Sequence, residues 1–260
     1  MSASTSRLNE DGAAGSRALR PVTDSGMTQR VSIHQPSYWP WLGQLAKIAA
    51  SDVYVCLDSV AAAKNENQYR NLFYCNGEAK YLTLPVNYRM GVRIDELQFT
   101  TDQWKLDHLN KLRNYYRKAP FFEEVFRKIT PLYAAQGQSP VEFILTTMTF
   151  AFEVLALGVT IIRSSSFNVL STKGDLVLGI CKATGATQYV GGMGSYEYMK
   201  EVLGDFHTAG IDITWHKYSH PQYSQDPQYP FVPGLACLDL FFFQGFERAR
   251  DLFQESIRQT

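Results

Sequence analysis

The residues of this chain best suited to chemistry are histidines and carboxylates that follow short apolar runs. His34 ends the run that begins at Val31 in "VSIHQPSYWPWLGQLAKI", and Asp58 ends the run "DVYVCLD". A histidine changes charge near neutral pH, so it is a natural general base, and a nearby carboxylate can orient it. We therefore predict that His34 and Asp58 form a catalytic pair. The alternatives are a histidine satisfied by backbone groups and an aspartate that caps a turn.

A second candidate base, His220, precedes a proline in the aromatic segment "WHKYSHPQYSQDPQYPFVPG". Connections of this length without secondary structure are usually functional. His216 and His220 form an H-x-x-x-H pair, but the sequence offers no third ligand, so we predict no metal site. Asp239, in the apolar run "LACLDLFFF", is predicted to be a buried acid that needs a polar partner.

Several further polar residues are predicted to bind substrate. The segment "KNENQYRN" offers donors for a phosphate, a carboxylate or a sugar hydroxyl, or it forms a solvated turn. The segment "HLNKLRNYYRKAP" combines basic and aromatic side chains, which suits a sugar or a nucleotide but is equally typical of an amphipathic helix. The predicted substrate-binding residues are Gln35, Lys64, Arg70, Asn71, His108, Lys118, Gly191, Gly192 and Asp239.

Gly191 and Gly192 open the segment "YVGGMGSYEYM", which leads from a β-type run into a helix-type run. Glycines permit a ligand to approach the backbone closely, and the first N–H groups of a helix favour an anion. The segment matches neither the P-loop nor the dinucleotide-binding pattern. We predict that this turn supplies backbone donors to a ligand; the alternative is that the glycines only shape the turn.

Strand-type and helix-type segments alternate from residue 30 onward. The strand-type segments are "VSI", "DVYVCLD", "KYLTLPV", "VTIIRSSS", "TQYVGGMGS" and "IDITWHKYSH", and residues 102–158 are mainly helical. This pattern predicts a three-layer α/β fold with a largely parallel sheet flanked by helices and a helical insertion at about 102–158. Ligands of such sheets bind at the carboxyl ends of the strands. We therefore expect the polar segments after the strands to share one pocket.

The composition narrows the class of protein. Lysine plus arginine equals aspartate plus glutamate, at 25 each among 260 residues, so no overall positive field favours nucleic acid as a partner. No apolar run is long enough to span a membrane. Residues 1–29 are predicted to be a disordered tail without a secretory signal, and residues 30–260 a single cytoplasmic domain. The four cysteines are scattered, so we predict buried thiols, and we predict no cofactor.

Seven segments, in order, resemble the WbqC-like protein family. They are "IHQPSYWPWLG", "SDVYVCLD", "KNENQYRN", "YLTLPV", "YYRKAPFF", "ICKATGATQYVGG" and "HPQYSQ…FVPGLACLDLFF". The resemblance implies a biosynthetic enzyme associated with O-antigen, other surface polysaccharides or natural products. The residues that it aligns with characteristic polar positions of the family are His34, Gln35, Asp58, Lys64, Arg70, Asn71, Lys118, His220 and Asp239.

These observations favour a transferase that moves an acyl or aminoacyl group onto an amine or hydroxyl of a small sugar-like or amino-acid-like acceptor. In this hypothesis His34 or His220 accepts the acceptor's proton and Asp58 orients the histidine. Lys64 and Arg70 hold the anionic part of a carrier-bound or nucleotide-activated donor. Two alternatives stay open: an enzyme that depends on a nucleotide or nucleotide-sugar, and a non-catalytic sugar-binding protein.

Overall fold

A five-stranded parallel sheet forms the centre of the fold in the computed structural model, which describes residues 28–64 and 66–259. The predicted tail, residues 1–29, therefore lies outside the described residues except for 28 and 29. The strands run in the order β5-β2-β1-β6-β7. Their bounds are β1 Arg30–His34, β2 Val53–Cys56, β5 Thr160–Arg163, β6 Gln188–Gly192 and β7 Asp212–His216.

Helices cover both faces of this sheet, as the three-layer prediction requires. The helices are α1 Leu42–Ala49, α2 Trp104–Tyr116, α3 Phe122–Ala134, α4 Pro140–Leu155, α5 Lys173–Ala183, α6 Tyr196–Met199, α7 Leu203–Thr208 and α8 Leu238–Arg258. Successive strand residues point to opposite faces. Val31 and Val55 pack in the core formed with α5 and α7, whereas Tyr54 and Cys56 pack in the core formed with α1, α4 and α8.

The predicted helical insertion is present as α2, α3 and α4, which lie between β4 and β5 along the chain. The best-defined start is that of α4, where Ser139 and Glu142 form a reciprocal capping box in front of Pro140. The predicted division of the chain into a tail and one domain stays a prediction.

One predicted strand lies outside the parallel sheet. The segment "KYLTLPV" contributes to β4, Glu78–Thr83, which pairs in antiparallel register with β3, Arg70–Cys75. Residues Asn76 and Gly77, both with positive φ, form the turn between these strands. We interpreted the residues of β3 as donors on a loop, and the structure instead places them in this separate hairpin.

The order of the strands creates a crevice between β1 and β6. The chain passes from β1 outward to β2 on one side, and from β6 outward to β7 on the other. Such a reversal of direction opens a space beyond the carboxyl ends of the two central strands. None of the described helices combines the length and apolar character that a membrane crossing requires.

Candidate functional site

A cavity of about 800 Å³ lies at the carboxyl ends of β1, β6 and β7, where the strand order reverses. Residues that directly follow these strands form its floor, and α1 forms one wall. Its lining residues include His34, Gln35, Trp41, Gly43, Gln44, Lys47, Leu57, Tyr189, Gly192, Ser195, Tyr198, His216, Lys217 and Tyr218. We predicted that the polar segments after the strands share one pocket. The segments after β1, β6 and β7, three of the five strands, do line this cavity.

His34 presents one ring nitrogen to this cavity. Its Nδ1 lies 2.8 Å from the carbonyl oxygen of Gln35 and 3.1 Å from Gln44 Nε2. We assign the hydrogen to Nδ1 from the shorter contact, because a carbonyl can only accept. Nε2 is then unprotonated, and it has no hydrogen-bond partner among the described residues. Desolvation by the protein atoms around the ring and the nearby charge of Lys47 lower the pKa of His34 to about 3, although the residue is exposed to the cavity. The imidazole is therefore neutral at physiological pH, with a lone pair available to a ligand.

Lys47, on the wall formed by α1, is the second polar group of the cavity. Its side chain is 6% exposed, and its Nζ donates to the carbonyl oxygen of Ile33 at 3.2 Å. Burial lowers the pKa of this amine from its usual value to about 7. The same charge, together with burial, lowers the pKa of His216. The charge of Lys47 thus acts on both histidines of the cavity.

The electrostatics of the cavity favour an anion. Four basic side chains line it, those of His34, Lys47, His216 and Lys217, whereas aspartate and glutamate are absent from the described lining. A positive charge withdrawn from water without a counter-ion is costly, and desolvation accordingly lowers the pKa of His34, Lys47 and His216. A carboxylate or phosphate bound among them would supply the missing negative charge.

The loop between β1 and α1 is held rigidly behind the cavity. Trp39 has a positive φ of 45°, which is unusual for a large side chain. Asn71, 3% exposed, donates from Nδ2 to the carbonyl oxygens of Tyr38 and Trp39 at 3.1 and 2.8 Å. Asn71 was predicted to bind substrate; its amide is instead occupied by the backbone of this loop.

His108 is part of the same support. Its Nδ1 lies 2.9 Å from the Tyr38 hydroxyl, and its Nε2 lies 3.1 Å from the Thr83 carbonyl oxygen. The Tyr133 hydroxyl completes the network at 2.6 Å from Tyr38 and 2.9 Å from the Trp39 indole nitrogen. His108 was also predicted to bind substrate, but both of its ring nitrogens are engaged within the protein, outside the cavity.

We expect Asn71→Ala to lower the free energy of unfolding by about 2 kcal/mol, because it leaves two buried carbonyl oxygens without a donor. The strained conformation of Trp39 would lose its restraint at the same time. Urea denaturation measures the change. Asn87→Ala, at an exposed loop position, is the control and should cost much less; an equal loss in both variants would contradict the role assigned to Asn71.

Asp58 lies apart from His34, in a network at the ends of β2 and β5. Its carboxylate is fully buried and pairs with the guanidinium of Arg163. It also accepts hydrogen bonds from Ser164 Oγ at 3.1 Å, Ser165 N at 2.8 Å and Ser165 Oγ at 3.0 Å. Since His34 Nδ1 faces the carbonyl of Gln35, the predicted orientation of His34 by Asp58 is not found.

His220 and Asp239 organise the long connection between β7 and α8. The Nδ1 of His220 lies 2.8 Å from the Pro221 carbonyl oxygen, and the ring is not part of the cavity lining. Asp239 Oδ2 accepts from the Tyr223 hydroxyl at 2.7 Å and from Gln225 Nε2 at 2.6 Å. Burial raises the pKa of Asp239 to about 7. Asp239 is therefore a buried acid with polar partners, as predicted, but it lies outside the cavity.

The other predicted substrate-binding residues fall into two groups, outside the main cavity and in or beside its lining. Lys64 is exposed on the loop before β3, and the Arg70 guanidinium stacks over the Tyr81 ring at 4.0 Å. Lys118 borders a separate cleft of about 420 Å³ near the end of α2. Gln35 and Gly192 line the main cavity, and Gly191 is buried in β6 directly before Gly192.

Sequence reasoning missed Lys47 and Trp41. A signal was available, because Gln44 and Lys47 are polar residues three apart in an otherwise apolar helix and so share one face. Cys181 is buried in α5, and burial raises the pKa of its thiol to about 12. No cluster of three or more His, Cys, Asp or Glu residues suited to a metal occurs in the described part of the chain.

The comparisons with known proteins give a family but no reaction. The chain is 24% identical to an uncharacterized protein, Rv1507c, of Mycobacterium tuberculosis, over 222 residues that make up 84% of this chain and 95% of the relative. No solved structure matches the chain significantly. The sequence model of one family matches residues 35–251, from the end of β1 into α8. The chain therefore belongs to the WbqC-like protein family.

Proposed function

We propose that this protein is a biosynthetic group-transfer enzyme that binds a small anionic substrate in the cavity and uses His34 as its general base. The observation that carries this proposal is the neutral, unpaired Nε2 of His34 beside Lys47, in a cavity whose described lining contains no carboxylate. A base and a cationic site without a counter-ion are what transfer from an anionic donor requires.

The reaction that we favour is transfer of an acyl or aminoacyl group. The nitrogen or oxygen of the acceptor attacks the carbonyl carbon of the donor, and His34 Nε2 accepts the acceptor's proton. The tetrahedral intermediate then collapses, the bond to the leaving group breaks, and the imidazolium returns the proton to that group. Lys47 stabilises the anionic part of the donor or the developing oxyanion, for which the Gly192–Ser195 turn offers further backbone donors.

An anionic substrate also improves His34 as a base. With a pKa of about 3, the free imidazole accepts a proton only weakly, and part of this depression comes from the charge on Lys47. A bound anion neutralises that charge and raises the pKa of His34 toward the working pH, where general bases act best. The substrate would thus activate the base that acts on it.

Transfer can be tested by incubating the protein with acyl thioesters, or with amino acids and ATP, in the presence of amino-sugar and amino-acid acceptors. Mass spectrometry detects the acylated product. The decisive variant is His34→Asn, which keeps a donor for the Gln35 carbonyl but removes Nε2. We expect it to lower the transfer rate by about 10²- to 10⁴-fold. His220→Asn is the matched control and should retain transfer; undiminished transfer by His34→Asn would refute the proposal.

Binding of an anion should be accompanied by uptake of protons. At pH 8 the amine of Lys47, with a pKa of about 7, is mostly neutral, and a nearby anion raises that pKa. We expect uptake approaching one proton for each anion bound, which is measured by calorimetry in buffers of different ionisation enthalpy. Sulfate is a suitable probe. Lys47→Met should abolish the uptake, and equal heats in all buffers would contradict the assignment.

A further inference from the structure

An exposed indole forms one end of the cavity. Trp41 is 36% exposed although it lies at the start of an almost completely buried helix, and its ring meets that of Tyr218 edge-on at 6.1 Å. Both rings line the cavity. An exposed tryptophan in a cavity is available for stacking, because it leaves apolar area uncovered.

Contacts with the segment before α8 hold the backbone that carries this indole. Trp41 pairs as an isolated antiparallel bridge with Ala236, and the Cys237 N–H donates to the Pro40 carbonyl oxygen at 3.0 Å. The indole lies directly over Gly43, where an added Cβ would come within 2.0 Å of the ring. Only glycine at this position leaves room for the indole, so its orientation is built into the first turn of α1.

The cationic groups lie at the other end of α1 and across the sheet. Lys47 follows Trp41 by six residues, which corresponds to about 9 Å along the helix axis. His216 and Lys217 contribute further donors from the end of β7. The cavity thus offers both an aromatic surface and an anion site, the two features that the base and the phosphate of a mononucleotide require.

We propose that the donor bound here is a nucleoside phosphate derivative, whose base stacks on Trp41 and whose phosphate lies among Lys47, His216 and Lys217. This inference rests on the proposed group transfer and names the activating group of its donor. A free phosphate or a simple carboxylate would leave the indole uncovered and fill little of the 800 Å³. A nucleoside without phosphate would leave the basic side chains without a counter-ion.

The test measures affinities for parts of the ligand. The four ribonucleoside monophosphates are compared by calorimetry with ribose 5-phosphate, which lacks the base, and with adenosine, which lacks the phosphate. We expect at least one monophosphate to bind about tenfold or more tightly than either fragment. Failure of all four monophosphates to bind at 5 mM, or binding no tighter than that of ribose 5-phosphate, would overturn the inference.

Two substitutions locate the base. Trp41→Leu should weaken the monophosphate by about ten- to a hundredfold and leave ribose 5-phosphate unchanged, whereas Trp41→Phe should retain most of the affinity. Gly43→Ala keeps the indole but displaces it, and should reproduce the loss. Tyr229→Leu, an exposed aromatic outside the cavity lining, is the control. An equal loss of ribose 5-phosphate affinity in Trp41→Leu would show that no base stacks there.

Separate measurements of nucleotide binding and of group transfer distinguish a failure of this inference from a failure of the proposed function. His34→Asn should lower the rate of transfer far more than it weakens binding of the monophosphate, because the phosphate contacts assigned here are Lys47, His216 and Lys217. Trp41-dependent nucleotide binding without any His34-dependent transfer would refute the proposed function and leave this inference standing. His34-dependent transfer from donors without a nucleotide, with no nucleotide binding, would do the reverse.

Discussion

Lys47→Met is expected to stabilise the protein by about 2 to 4 kcal/mol at pH 7 while weakening anion binding by a hundredfold or more. The buried amine has a pKa of about 7, against 10.5 in the unfolded chain. At pH 7 the folded protein therefore holds only about half a proton on this amine, and the depressed pKa costs about 4 kcal/mol of stability. Methionine fills a similar volume without this cost. Loss of the hydrogen bond to the Ile33 carbonyl destabilises the variant by about 1 kcal/mol, which reduces the net gain.

The dependence on pH distinguishes this explanation from better packing. The depressed pKa makes the unfolded state bind more protons than the folded state between pH 7 and 10.5, so the wild-type protein gains stability as the pH rises through this window. The advantage of Lys47→Met should therefore shrink to about 1 kcal/mol or less near pH 10. Urea denaturation at both pH values measures it.

Lys217→Met is the matched control, because Lys217 lines the same cavity but is exposed. It should change stability by less than about 0.5 kcal/mol and still weaken anion binding. A loss of stability in Lys47→Met, or a gain that does not change with pH, would show that Lys47 is an ordinary structural residue. A destabilising lysine that binds the ligand instead illustrates the usual conflict between stability and function.

The architecture of the sheet follows from hydrophobic periodicity, and this part was predictable. Short β-branched runs separated by helices specify parallel strands, because only a crossover can return the chain in the same direction. The β3–β4 hairpin was harder to recognise. Its first strand, "RNLFYC", begins with polar residues that we interpreted as ligand donors, and antiparallel pairing is decided by contacts across the turn at Asn76 and Gly77.

The site was predictable only in position. The rule that ligands bind at the carboxyl ends of parallel strands correctly identified His34, Gly192 and His216 as neighbours. It could not separate polar residues that face a ligand from those that satisfy buried backbone groups. Asn71 and His108 are of the second kind, because their partners are carbonyl and hydroxyl oxygens far away along the chain. Pairing of this kind requires the three-dimensional structure.

Lys47 shows the opposite error. A lysine on a helix is usually exposed, so its sequence context suggested solvent rather than a cavity. Its burial follows from the position of α1, which packs beside the end of β1 and brings Nζ to the Ile33 carbonyl. Residues that act from a neighbouring helix rather than from a strand end are therefore the ones that this kind of sequence argument misses.

Asp58→Asn should cost about 2 to 4 kcal/mol of stability without changing the chemistry of the cavity. The substitution keeps the size of the side chain but removes the charge that pairs with Arg163. In wild type the carboxylate oxygens accept hydrogen bonds from Ser165 and Arg163. The amide nitrogen of asparagine is a donor, so it would face one of these donors without an acceptor. Breaking one side of a buried ion pair typically costs 3–5 kcal/mol, and the partial exposure of Arg163 moderates it here.

Asp52→Asn is the matched control, because Asp52 also pairs with an arginine, Arg30, but at a site where both side chains are more than 40% exposed. Exposed pairs contribute about 1 kcal/mol or less, so this variant should remain close to wild type. The informative measurement is the affinity for sulfate at a temperature where Asp58→Asn is folded. We expect it to stay within about twofold of wild type, with the same proton uptake.

If Asp58 instead oriented His34, the rate of transfer per folded molecule would fall by a hundredfold or more, as it does when a general base loses its partner. The network around Asp58 argues against that outcome, because its carboxylate oxygens already accept hydrogen bonds from Arg163, Ser164 and Ser165.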